Sequence, residues 1–164
     1  MLCRNNTTSI LDIMMYLSSI KAKKLCITVP RYFSAEVFAN KLNMCYRLVD
    51  IDSESGERKL PVEKILQEKF NAVWFTSYYE SFYDNAIDDI KALVKSGVIC
   101  VFDECNIPYR ECLANRIGVN DNLMFICSPH KAISMNGELK FSCVISTHDR
   151  VKDMTNEVFS VYGT

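Results

Sequence analysis

Six short apolar runs, each about the length of one β-strand, set the terms on which this chain can fold. They are KLCITV (24–29), YRLVDI (46–51), AVWFTS (72–77), ICVFDE (99–104), LMFICS (123–128) and FSCVIS (141–146). Most are continuous rather than alternating, which suits strands covered on both faces. Segments with helical spacing lie beside and between them: SILDIMMYLSSIK (9–21), SAEVFANKLN (34–43), PVEKILQEKF (61–70) and AIDDIKALVKSG (86–97). Pro61 stands at a first-turn position, and Gly97 marks a C-terminal stop. DSESGERK (52–59) is expected as a polar loop and residues 149–162 as a final helix. Alternation of this kind predicts a three-layer α/β/α sandwich with a mostly parallel sheet.

A single domain is expected at 164 residues, because domains divide only well above that length. Net charge is −1, from 19 basic and 20 acidic residues, so no field draws nucleic acid to the chain. No apolar run approaches the about 18–20 residues that cross a bilayer, and no leader peptide is recognisable, so a cytoplasmic location is the default. Of the eight cysteines, Cys26, Cys100, Cys127 and Cys143 sit within apolar runs, where a thiol behaves as a small hydrophobe. Without a C-x-x-C pair, and with His130 and His148 far apart, the spacing identifies no metal site.

In an open parallel sheet, ligands bind beyond the carboxyl ends of the strands. Those ends carry Pro30, Arg31 and Tyr32; Asp50; Ser77, Tyr78 and Tyr79; Asp103 and Glu104; and Ser128, Pro129, His130 and Lys131. A carboxylate, hydroxyls, aromatic rings and an amine would therefore converge on one crevice, as a charged, flat cofactor requires. Lys131 supplies an amine that becomes nucleophilic when desolvated; the ordinary alternative is a solvated loop lysine. Asp103 could cap a turn, or it could hold a ring nitrogen protonated.

These residues resemble the large domain of the fold type I pyridoxal phosphate enzymes, the aspartate aminotransferase-like superfamily, with a class I/II aminotransferase pattern. That group carries a strand ending in Asp, often Asp-Glu, and further on Ser-x-x-Lys followed by glycine. Here these are Asp103 and Glu104, then Ser128 to Lys131, then Gly137. Asn6, Thr7 and Thr8 match its phosphate-binding turn at a helix start, and Pro30, Arg31 and Tyr32 its Pro-x-Tyr strand end. The resemblance implies Lys131 as the catalytic, Schiff-base lysine, Asp103 as partner of the pyridinium nitrogen, and Tyr32 stacked on the ring. It implies that Thr7 and Thr8 meet the phosphate at the helix N-terminus, with Ser128 adding a hydroxyl. Simple helix capping is the other role open to the two threonines.

The sequence departs from the pattern at three places. Lys140 stands one position beyond the usual phosphate-binding arginine, TSYYES (76–81) replaces an Asn-Pro-x-Gly turn, and Asn106 stands where tyrosine is frequent. Tyr78 or Tyr79 is the candidate for the hydrogen bond to the ring hydroxyl. The implied activity is transamination of an amino acid or related amine by a pyridoxal 5'-phosphate enzyme, normally a homodimer. Residues 1–164 would be its cofactor-binding large domain, without the N-terminal arm and C-terminal small domain of such enzymes. The rival expectation is a truncated or degenerate module, catalytically silent, that binds cofactor or a partner chain. A nucleotide-binding module is disfavoured because no Gly-rich loop follows the first apolar run.

Overall fold

In the computed structural model, residues 2–3, 5–51, 59–77, 86–107, 112–118, 120–128, 131 and 142–146 are described. The loop expected at 52–59, except for Lys59, and the helix expected at 149–162 lie outside them.

All six apolar runs form strands. They are β2 (Leu25–Val29), β3 (Tyr46–Asp50), β4 (Ala72–Thr76), β5 (Ile99–Asp103), β6 (Leu123–Cys127) and β7 (Ser142–Ile145). A two-residue strand not foreseen from the sequence, β1 (Leu2–Cys3), pairs antiparallel with β7. The sheet order is β1-β7-β6-β5-β4-β2-β3. Strands β3, β2, β4, β5 and β6 are parallel, and β7 runs antiparallel to β6.

The continuous apolar runs occupy the centre: every residue of β4 and β6 is buried. The expectation of two covered faces fails at β3, where only Val49 is buried. As an edge strand it has one neighbour, and Arg47 and Leu48 face solvent. Charge at such an edge discourages pairing with another chain.

Among the described residues five helices cover the sheet: α1 (Asn6–Ser19), α2 (Phe33–Lys41), α3 (Val62–Gln67), α4 (Ala86–Lys95) and α5 (Leu113–Ile117), the last not foreseen from the sequence. Pro61 stands at the N-cap of α3, immediately before the first turn. In α4, Ala86, Ile90 and Leu93 recur at helical spacing and are buried, while Asp88 and Asp89 lie in the first turn and Lys95 in the last, each opposing the helix dipole. Gly97 then takes φ +80°, a left-handed stop that a side chain would strain.

The core has two halves, one on each face of the sheet. On one face α1 and α2 bring Ile10, Met14, Leu17, Ala35 and Ala39 against Ile27, Trp74, Val101 and Ile126. On the other, Ile65, Ile90, Leu93 and Leu113 pack on Val73, Phe102, Leu123 and Phe125. The Phe102 and Phe125 rings stack with centroids 5.6 Å apart. Each fully buried side chain of this size contributes about 1.5–3 kcal/mol relative to exposure. The three-layer architecture with a mostly parallel sheet is therefore the one the strand-helix alternation implies.

Candidate active site at the carboxyl edge of the sheet

Parallel pairing aligns the strand ends. Thr76 at the end of β4 is in register with Asp103 at the end of β5, and Asp103 with Ile126 one residue before the end of β6. The next residues, Ser77, Glu104 and Ser128, are all buried and polar. Polar groups persist in such a place only with partners or a ligand, because desolvation without a hydrogen bond is costly. The Ser77 hydroxyl is buried without a hydrogen-bond partner among the described residues, and the buried Ser128 hydroxyl has only the Cys105 thiol beside it.

Asp103 is 2% exposed. Its Oδ1 accepts the Cys105 N–H at 3.3 Å, and the Asn6 side chain hydrogen-bonds the carboxyl group. Burial nevertheless raises its pKa above 3.8, opposed by the Cys105 hydrogen bonds, the charge of Lys131 and the contact with Asn6. The fold thus holds a carboxyl whose charged form gains from any further cationic donor.

Asn6, the first residue of α1, reaches the site across the fold. Cys105 Sγ donates to its Oδ1 at 2.7 Å, joining residues 99 apart in sequence. Burial is the main cause that raises the Cys105 thiol pKa, with Asp103 adding to it. The thiol is therefore held in its neutral, donating form.

Lys131 follows β6 by four residues, and its backbone N–H donates to Ser128 O at 3.0 Å. Its Nζ donates to Asn106 Oδ1 at 3.0 Å. The position where tyrosine was the expected pattern thus holds an amide that orients the lysine amine. Cys105 was not singled out from the sequence, and Asn6 and Asn106 were noted there, one in the helix-start motif and one as a departure, without a role in the site. For Asn106 the signal was its distance of three from Asp103; for Asn6, its place at a helix start.

The remaining candidates fall as follows. Thr7 and Thr8 lie in the first turn of α1 beneath the N-cap Asn5, whose Oδ1 accepts the Thr8 N–H at 2.9 Å and the Thr8 hydroxyl at 3.2 Å. The capping role is thus realised at Thr8. Tyr32 is the N-cap of α2; its ring is 4.8 Å from that of Phe33, and its N–H donates to Thr76 Oγ1 at 3.4 Å. This ties it to the strand beside Asp103. Asp50 lies at the exposed edge in β3, with β2 and β4 between it and β5, and does not join the site. Tyr78, Tyr79, His130 and Lys140 lie outside the described residues.

No protein-family profile matches the chain, and no curated protein matches it. Solved structures do match. An aspartate aminotransferase from Thermotoga maritima superposes with a TM-score of 0.77 at 16% identity, covering 100% of this chain and 46% of the other. A pyridoxal phosphate-bound C-S lyase from Staphylococcus hominis gives 0.76 at 15% identity, over 97% and 44%. Cystalysin from Treponema denticola, whose structure contains pyridoxal 5'-phosphate, gives 0.72 at 12% identity, over 98% and 44%. The chain spans less than half the length of these proteins. From the strand order, the layers and these superpositions, the chain has the α/β fold of the large domain of fold type I pyridoxal phosphate enzymes.

Proposed function

We propose that this chain is a pyridoxal 5'-phosphate-binding domain of aminotransferase type, acting on an amino acid or related amine. The observation that carries the reading is the pairing of a buried Asp103 on β5 with a Lys131 amine held by Asn106 just beyond β6. The residues fit the cofactor: a buried carboxyl that lacks full charge compensation suits a protonated ring nitrogen, and the buried Ser77 hydroxyl, without a partner among the described residues, and that of Ser128 beside the Cys105 thiol suit an acceptor-rich ligand.

When bound, pyridoxal 5'-phosphate supplies an aldehyde and an electron-accepting ring. Asp103 would keep the ring nitrogen protonated, with Asn6 and the Cys105 N–H fixing its carboxylate. Tyr32 would pack on the ring face. The amides of the first turn of α1, with Thr7 and Thr8, Ser128 and Lys140, would receive the phosphate; at Thr8 the ligand must share or displace the Asn5 cap. Tyr78 or Tyr79 would donate to the ring hydroxyl. Lys131 Nζ would hold the cofactor, then move a proton at the substrate α-carbon, with Asn106 Oδ1 orienting the amine. Reaction within this class depends on groups that grip the substrate, so transamination is the reading supported by the resemblance of the motifs.

A catalytically silent module is the second reading, favoured by Lys140 in place of the expected arginine and by TSYYES (76–81) in place of the Asn-Pro-x-Gly turn. Full-length protein mixed with pyridoxal 5'-phosphate is expected to develop a violet absorption band that Lys131→Ala lacks. Borohydride treatment should then fix the label on the peptide carrying Lys131. No band with the wild-type chain overturns cofactor binding. A band without turnover of any amino acid leaves binding intact and removes the enzymatic reading.

A further inference from the structure

Side chains alternate across a strand, so the residue after Asp103 faces the other side of the sheet. Asp103 and Cys105 meet Asn6 of α1 on one face, while Glu104 joins Cys112 and Cys127 on the face covered by α4 and α5. These three residues are 1%, 0% and 2% exposed, and their donor atoms all lie within 4.8 Å of one another. Cys112 Sγ and Cys127 Sγ are 3.9 Å apart. A tetrahedral zinc ion with Zn–S bonds of about 2.3 Å separates two thiolate sulfurs by about 3.8 Å. The observed spacing is that edge of the tetrahedron.

The supporting contacts are also those of a metal centre. Glu104 Oε1 accepts the Leu113 N–H at 2.8 Å, which fixes the carboxylate as an outer hydrogen bond fixes a ligand. Cys143 lies directly opposite Cys127 in the β6–β7 ladder, and its thiol hydrogen-bonds that of Cys127. It borders the cluster from the neighbouring strand, while the donor atoms that converge are those of Glu104, Cys112 and Cys127. The two sulfurs and the carboxylate come from the ends of β5 and β6 and the start of α5. The thiols pack as small hydrophobes, and the Glu104 carboxylate, which also holds the start of α5 through the Leu113 N–H, converges on them.

We infer that Glu104, Cys112 and Cys127 form a binding site for a thiophilic divalent ion of the zinc class, on the opposite face of the sheet from the Asp103 site. Binding exchanges the thiol protons for the ion and releases them to solvent. The ion ties the ends of β5 and β6 and the start of α5 together directly behind Asp103. This site is independent of cofactor binding, and its test uses no cofactor.

The probe is cobalt(II) added to the reduced full chain under anaerobic conditions. Binding is expected as a cobalt–thiolate absorption in the near ultraviolet that saturates at one ion per chain and is displaced by zinc. The absorption should be lost in Cys112→Ser and in Cys127→Ser, and Glu104→Gln should weaken binding by at least about tenfold. Cys26→Ser, in β2 on the same face, should leave it unchanged. Circular dichroism identifies variants that retain the fold; if Cys127→Ser does not, Cys112→Ser and Glu104→Gln decide. No absorption in the wild type, or an absorption that survives in folded Cys112→Ser, overturns the inference. So does a Cys112–Cys127 disulfide that re-forms in preference to metal binding once reductant is removed.

Discussion

Replacing Asp103 with asparagine is expected to stabilise the cofactor-free chain near neutral pH while weakening its hold on pyridoxal 5'-phosphate. Burial raises the pKa of Asp103 in the folded chain above its unfolded value of 3.8. Below that value the group is protonated in both states and exacts no penalty. As pH rises, the unfolded chain ionises first and is favoured, and the loss of native stability is complete only once pH passes the folded pKa. Each pKa unit of elevation is worth about 1.4 kcal/mol. With a urea dependence of about 2 kcal/mol per molar, this moves the unfolding midpoint by about 0.7 M.

Asparagine keeps an acceptor for the Cys105 N–H, found at 3.3 Å, and loses the charge. The weaker hydrogen bonds offset the gain by about 1 kcal/mol. Urea unfolding followed by fluorescence of Trp74, the single tryptophan and fully buried, reads the effect at pH 4, 6 and 8. The Asp103→Asn midpoint should exceed wild type at pH 8 and converge with it toward pH 4. Affinity for the cofactor should fall at least about tenfold, because a neutral amide cannot stabilise a protonated ring nitrogen. A variant less stable than wild type at pH 8, or a midpoint difference flat between pH 4 and 8, refutes the reasoning: the native carboxylate would then be fully compensated by Lys131 and its hydrogen bonds.

Asn106→Ala removes the acceptor 3.0 Å from Lys131 Nζ; cofactor affinity measured by absorbance titration should fall about fivefold, the worth of one hydrogen bond of about 1 kcal/mol. Its urea midpoint should change little, since both partners are only partly buried. Phe102→Ala, by contrast, opens a cavity between Phe75 and Phe125, and should cost about 3–5 kcal/mol in urea unfolding with the site groups unchanged. Thiol labelling with an aromatic disulfide should modify the exposed Cys45 first. Cys26 and Cys100, whose pKa values burial pushes to about 12, should react only when the chain unfolds; fast labelling of either under native conditions would contradict the packing of β2 or β5.

Within the site, legibility followed locality. Asp103, Ser128 and Lys131 could be selected because each stands at the end of an apolar run, and a run's end in a parallel sheet faces the crevice. The contact between Asn6 and Cys105 could not be read, because nothing in the spacing of two residues 99 apart signals it. The same holds for Glu104, Cys112 and Cys127, where no C-x-x-C pair exists and the clustering arises from the pairing of β5 with β6. The helix at Leu113–Ile117 escaped because five residues are too few to establish a helical period.

What the sequence by itself determined is the architecture: continuous apolar runs separated by amphipathic segments bury well only as a parallel sheet between two layers of helices. Hydrophobic periodicity is written residue by residue, so it can be read without coordinates. What only the tertiary structure decided is partnership. Sheet order put β5 between β4 and β6, and register set Thr76, Asp103 and Ile126 side by side. Strand alternation then turned Asp103 toward Asn6 and Glu104 toward Cys112 and Cys127. These relations depend on packing between segments far apart in the chain, where register is chosen by the sum of many buried contacts rather than by any one stretch.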